Sequence, residues 1–589
     1  MVLLKRKFWV FTQFACALIV VVLVINFLYV STPTLKLPIT QVDLKDWNNY
    51  ELIREDSLRT GFGEHGKGET LTDANEIEEN KKLFAEFGMN VLISDKISVN
   101  RSIPEYRHQK CYQKKYPKDL PKVSIIIIFV DEYFSIFKRT LHSLYNRTPH
   151  ELIEEVILVN DHSTKDFLYE PLRIYVQENF PGIKFNIINL KKRHGLMQAR
   201  VVGAKAAKSE FLFISEPHCE MTYNWLPPLI EPLLNQEKVV TVPIIDNIEW
   251  KELMYFENDK GNKGCRGAFD WDLEYKKLNR FPVAEASELE PFLTPVMTGG
   301  IFMIRKTYFF EIGPYDPELV IWGAENIEMS LKINLCGGQL LEVPCSHIAH
   351  IYRAFTKARK HESGIDFEGF NRKRVVEVWF DDYKQHVYER HKRRYENIDV
   401  GDLTEAKKFR KKLKCKSFDY FLKNVAPDLL VNFPLDQYPF AYGQIQLLDE
   451  NVCLEILFEG DPNKNYEVIL NECSKPPVDT QYLELSWYRD IRLREIDGCL
   501  DAYKLSSSSC HLSGGNQHFK YDIKSKQIMN MANKQCIEAN LEDLSLKFAK
   551  CDESLKQQKW IFNEFVNETA ISNWSRFGRS FQGDGVYWN

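Results

Sequence analysis

Three segments near the C-terminus share one plan, and that plan leaves few folds open. NVCLEI begins at Asn451, DGCLDAY at Asp497 and KQCIEAN at Lys534. Each is followed by a second cysteine, Cys473, Cys510 or Cys551, and then by a glutamine-and-aromatic close, QYLELSW, NQHFKYD or QQKWIF. A unit this short cannot bury its own apolar face, whereas three packed around an axis can bury theirs together. Residues 440–566 are therefore expected to form one all-β domain, with a linker at 426–439 before it and a tail at 567–589 after it.

The chain upstream obeys a different period. VSIIIIFV at 123–130, EEVILVND at 154–161, FNIINL at 185–190 and SEFLFISE at 209–216 are short runs rich in β-branched residues. Such runs suit strands buried on both faces of a sheet. Helical patterns lie between them, as in FSIFKRTLHSLYNRT at 134–148. This alternation predicts an α/β domain over 116–425 with a parallel sheet and right-handed crossovers. Ligands of such sheets bind beyond the carboxyl ends of the strands. Asp131, Glu132, Asn160, Asp161, Glu216 and His218 stand there.

Residues 8–30 carry no charge and are long enough to cross a bilayer as a helix. The run ends in Phe27, Leu28 and Tyr29 rather than in the small residues of a cleavage site, so it reads as a retained transmembrane anchor. Lys5-Arg6-Lys7 holds the tail 1–7 in the cytoplasm and leaves the rest in a lumen or outside the cell. Residues 31–115 read as an extended polar stem and lead-in, with a short helix in EIEENKKLFAEFG. Of 13 cysteines only Cys16 lies in the apolar run, and the even remainder suits an oxidising compartment. Sequons at Asn100, Asn146, Asn567 and Asn573 fit the same topology. A net charge of −5 gives no footprint for a nucleic-acid partner.

FISEPHCE places Glu216 two residues before His218. A carboxylate and an imidazole on one loop can hold a divalent cation, oxygen ligation favouring manganese or magnesium; the same residues also suit a solvated turn. In PVMTGGIFMIRKTYF, Gly299 and Gly300 would let a ligand approach the backbone. Downstream, YDPELVIWGAENIEMSLKINLCGGQLLEVPCSHIAHIYR carries Trp322, Glu325, His350 and Arg353, with His347 as an alternative to His350. A third metal ligand and a phosphate-binding arginine would complete a nucleotide-diphosphate site.

Here the chain resembles the polypeptide N-acetylgalactosaminyltransferases, which start mucin-type O-glycosylation. WGAEN, CGG, PCS and AHIYR carry the resemblance, with NRSIPEYRHQKCY, RHGLMQARVVGA, VEVWFDDYK, the anchor and the three repeats. The resemblance spans roughly residues 60–566 and implies a GT-A catalytic domain followed by a ricin-type β-trefoil lectin domain. It implies retaining transfer of GalNAc from UDP-GalNAc to Ser or Thr of protein or glycopeptide acceptors, with Mn2+. It also implies a single-pass type II protein of the Golgi membrane with both domains lumenal.

Carried over by position, Glu216, His218 and His350 become the metal ligands, with Glu216 standing where the family has aspartate. Asp161, Arg193, Gly300 and Arg353 become donor-binding residues. Glu325 lies near the sugar, and Trp322 closes over the donor. Other departures are Val130-Asp131-Glu132 for His-Asn-Glu, Val159-Asn160-Asp161 for Val-Asp-Asp, WGAEN for WGGEN, and an altered loop after Arg353. They support a second reading, a catalytically weak or inactive member that binds GalNAc-glycopeptides as a membrane lectin. In the lectin half, Asp501, His511 and Asn516 are the expected sugar-binding residues, since the other repeats carry Glu455 and Glu538 instead. The repeats suggest disulfides Cys453–Cys473, Cys499–Cys510 and Cys536–Cys551, and the resemblance adds Cys111–Cys345 and Cys336–Cys415. Cys219 and Cys265 are left unassigned.

Overall fold

The computed structural model describes residues 43–257, 264–284, 287–353, 366–390, 392–435, 438–457, 466–493, 498–503, 505–508, 510 and 514–574. The apolar run 8–30, the loop 354–365 and His511 lie outside them. Among the described residues no helix is long and apolar enough to cross a membrane.

The central sheet grows from the β-branched runs. β1 (Val123–Phe129), β2 (Ile153–Asn160) and β3 (Phe185–Asn189) run parallel, and β4 (Phe211–Ser215) pairs parallel to β1 on its other side. Every residue of β1 and β4 is buried, as expected where helices cover both faces. The crossovers are α1 (Phe134–Arg147), α2 (Glu170–Asn179) and α3 (Leu196–Ala206). A Cβ on Gly203 would sit 2.4 Å from Ile126 Cγ2. A side chain there would have to push α3 away from β1.

Beyond β4 the sheet becomes mixed. β5 (Cys219–Met221) leaves the β4 turn, and β6 (Val239–Ile248), β7 (Phe302–Arg305) and β8 (Gln339–Ile351) complete the sheet. Its order is Phe292–Leu293, β8, β6, β7, β4, β1, β2, β3, and β7 alone within that run is antiparallel to both neighbours. β5 pairs antiparallel with β8 in a register that sets His350 opposite Cys219. α4 (Glu325–Leu335) and α5 (Phe367–Trp379) pack beside this end.

Part of the expected stem is folded instead. Ala74–Phe87 is the short helix expected there, and Tyr50–Leu58 and Val91–Lys96 are further helices. Phe87, Met89, Val91 and Ile93 pack in one buried cluster with Ile136, Ile248 and Ile351. A few apolar anchors spaced among polar residues suffice for docking, because the large sheet supplies the other half of the buried surface.

The C-terminal repeats form short antiparallel strands around a buried core that includes Leu454, Leu500, Ile537 and Trp560. Each repeat is closed by its own disulfide, Cys453–Cys473, Cys499–Cys510 and Cys536–Cys551. Cys111–Cys345 and Cys336–Cys415 cross-link the α/β part, and Cys219 and Cys265 form no disulfide among the described residues. Tyr488 from the repeats joins the apolar cluster of the α/β part.

Candidate active site

The turn from β4 to β5 is only Glu216, Pro217 and His218. Its shortness forces the carboxylate and the imidazole to the same end of the sheet. Strand β8 then brings His350 to them, and Ile351 N donates to His218 O at 3.1 Å. Glu216 Oε2 lies 2.7 Å from His350 Nε2 and 3.3 Å from His218 Nε2. One ligand atom from each of the three falls within 4.8 Å of the others. His347, three residues earlier, points elsewhere: its Nδ1 faces Asp246 Oδ2 at 2.9 Å, which also accepts from Tyr255 Oη at 2.7 Å.

The surroundings suit a cation. His218 Nδ1 faces Glu132 Oε2 at 2.9 Å, a pairing that leaves Nε2 as the ligand nitrogen. Arg353 also bonds Glu132 and stands 3.2 Å from His218 Nδ1. Burial opposes charge on Glu216, yet hydrogen bonds from His218 and His350 hold its carboxyl well below the usual range. Two imidazole nitrogens and a carboxylate oxygen form a donor set that fits manganese.

A second buried group flanks the first. Arg200 is 1% exposed, with Nη1 3.3 Å from Glu325 Oε1 and 3.5 Å from Tyr315 Oη, and with Nη2 3.7 Å from Glu216 Oε1. Burial disfavours its charge, but Tyr315, Glu325 and Glu216 together raise its pKa. Among the described residues neither Nε nor Nη2 of Arg200 has a hydrogen-bond partner, so donors remain for an anionic or hydroxyl-bearing guest. Gly300 lies against it: a Cβ there would meet Arg200 Nη2 at 1.7 Å and Glu216 Oε1 at 3.0 Å, whereas Gly299 faces open space. Glu325 opens α4, and its Oε2 accepts from Gly323 N at 3.0 Å.

Asp161 is buried, and its carboxylate accepts from His194 N at 2.7 Å and Gly195 N at 2.8 Å. It pins the loop that starts α3. Arg193, on the same loop, is exposed and forms no hydrogen bond or ion pair among the described residues. Trp322 is 40% exposed on the loop before Glu325. Arg200 and Tyr315 belong to the site without standing out in the sequence. The signal for Arg200 lay in RHGLMQAR, where two arginines are seven residues apart and only the phase of a helix beginning at Leu196 selects the second.

The lectin positions divide by repeat. Asp501 Oδ2 accepts from Asn516 Nδ2 at 2.6 Å and Oδ1 from Tyr503 N at 2.9 Å, with the Tyr503 ring 70% exposed beside it. Glu455 instead has both oxygens taken by Thr480, Asn471 and Gln481. Glu538 is held by Gln558 and by Lys547 at 2.8 Å.

Comparison with known proteins agrees with this architecture. Residues 124–313 match the model of glycosyl transferase family 2, residues 289–357 that of the N-terminal domain of galactosyltransferase, and residues 441–560 that of the ricin-type beta-trefoil lectin domain. N-acetylgalactosaminyltransferase 6 of Drosophila melanogaster is 41% identical over 90% of this chain and 80% of its own length. Polypeptide N-acetylgalactosaminyltransferase 10 of Mus musculus is 37% identical over 90% of this chain and 88% of its own. The chain belongs to the polypeptide N-acetylgalactosaminyltransferase family. It shares that family's GT-A glycosyltransferase domain and β-trefoil. The crystal structure of the relative GalNAc-T7 with UDP, GalNAc and Mn2+ superposes with a TM-score of 0.65 at 31% identity, covering 86% of this chain and 94% of that one.

Proposed function

We propose that this glycosyltransferase moves GalNAc from UDP-GalNAc to Ser or Thr hydroxyls of proteins, with retention at the anomeric carbon. The observation that carries the reading is the convergence of Glu216, His218 and His350 beside the buried Arg200–Glu325 pair. Glu216, His218 and His350 would hold Mn2+, which when bound neutralises diphosphate charge and so stabilises the leaving group. Arg353 stands beside this cluster to take up further diphosphate charge, exchanging Glu132 for phosphate oxygens. Arg200 and Glu325 present a donor and an acceptor in one buried place, suited to sugar hydroxyls, and Gly300 leaves room for them. Asp161 orders the loop that carries Arg193, and Trp322 covers the donor side. Asp501 and Asn516, with His511, would hold a GalNAc already on the acceptor and raise the local concentration of nearby hydroxyls. Residues 8–30 would anchor the chain in the Golgi membrane with both domains lumenal.

Glutamate in place of aspartate is accommodated here. Its extra methylene lets Oε2 sit between both histidines while Oε1 faces Arg200. The test is Glu216→Ala in the lumenal protein, read by the Mn2+-induced rise in thermal midpoint and by GalNAc transfer from UDP-GalNAc to a panel of peptides. Both are expected to vanish. Wild-type protein that binds Mn2+ and GalNAc-peptides yet transfers no sugar would instead support the lectin reading.

A further inference from the structure

The loop that leads into Glu325 is held by one side chain from a separate helix. Asn371 lies in the second turn of α5 and is fully buried. Its Oδ1 accepts from Val320 N at 3.0 Å. Its Nδ2 faces Val320 O at 2.7 Å, Trp322 O at 3.0 Å and Gly323 O at 3.1 Å. An amide nitrogen has two hydrogens, so the three carbonyls share them. A side chain that both accepts and donates is required to satisfy this backbone at one point.

The backbone so held is not at rest. Ile321, Gly323 and Ala324 have φ of 54°, 106° and 62°. A β-branched isoleucine in the left-handed region is disfavoured, so partners outside the loop must impose that shape. One clamp is Leu196 N, which donates to Ile321 O at 2.8 Å at the start of α3. Asn371 is a second. From its hold on Gly323 O the chain of contacts continues through the neighbouring amide: Gly323 N donates to Glu325 Oε2, whose other oxygen faces Arg200.

We propose that Asn371 is a positioning residue for the transfer reaction, acting through the backbone of Val320–Gly323 to place Trp322 and to orient the Glu325 carboxylate beside Arg200. The role rests on reading this site as the transfer centre, and half of its test is independent of that reading. Asn371→Asp keeps the acceptor for Val320 N but sets a carboxylate against three carbonyl oxygens. Backbone hydrogen exchange of peptides spanning Val320–Ala324 is expected to accelerate about tenfold or more, with β1 and β2 unchanged. Transfer should lose about tenfold or more in kcat, with KM for the acceptor peptide moving less.

Asn371→Ser, smaller and able to donate one hydrogen and accept, should fall between wild type and Asp in both readouts, and it serves if Asp does not fold. Unchanged exchange in the loop of either folded variant overturns the proposal. Faster exchange with wild-type kcat overturns the link to catalysis. A wild type without transfer would count against the function proposed above, while the exchange data would still decide whether Asn371 holds the loop.

Discussion

Replacing Gly300 by alanine probes the site with one added carbon. A Cβ there would lie 1.7 Å from Arg200 Nη2, 2.7 Å from its Cζ and 3.0 Å from Glu216 Oε1. The guanidinium would have to retreat by roughly 2 Å to regain an ordinary contact. It has little room, since Tyr315, Glu325 and Glu216 surround it and it is 1% exposed. Crowding of this kind costs about 1–3 kcal/mol, or a few degrees in thermal midpoint. A displacement on the order of 1 Å in a positioning group costs about a hundredfold in rate. Gly300→Ala should therefore lose about a hundredfold in kcat/KM for GalNAc transfer, measured with UDP-GalNAc and an acceptor peptide, while staying folded. Gly299→Ala, whose Cβ meets nothing within 4 Å, should keep the wild-type thermal midpoint and serves as the control for folding. A Gly300→Ala variant as active as wild type would refute the placement of Arg200 against that backbone.

Glu132→Ala removes the partner of His218 Nδ1 and should weaken Mn2+ binding about 10- to 100-fold by calorimetric titration, with the fold intact by circular dichroism. Asp501→Ala should abolish retention of the protein on immobilised GalNAc, whereas Glu455→Ala should leave retention unchanged because that carboxylate is already spent on Thr480, Asn471 and Gln481. Glu64 is buried, which opposes its charge, but Arg59 and Ser102 outweigh burial and lower its pKa to about 2. A depressed carboxyl contributes stability that is complete above its unfolded pKa, near 4.5, and is lost as pH falls toward about 2. The thermal-midpoint gap between wild type and Glu64→Gln should accordingly shrink from pH 5 to pH 3, and a constant gap would count against the Arg59–Glu64 pair as its source.

The sequence by itself determined the elements whose burial is written in local composition. β1 is legible as VSIIIIF because a strand covered on both faces needs apolar residues at every position, not at alternate ones. The three repeats are legible because each carries its own paired cysteines and aromatic close. Glu216 and His218 could be suspected as partners because three residues of turn keep them together. Tertiary structure decided what depends on phase and register. A helix starting at Leu196 buries Arg200 and leaves Arg193 in solvent, although both belong to one motif. The pairing of β5 with β8 selects His350 over His347, since positions an odd number of residues apart on a regular strand face opposite sides of the sheet. Asn371 meets the loop at Val320 from 51 residues away, and Phe87 finds its pocket against strands more than a hundred residues further on. Such partners are chosen by where the packed sheet places its surfaces, a property of the whole chain that no short stretch of it contains.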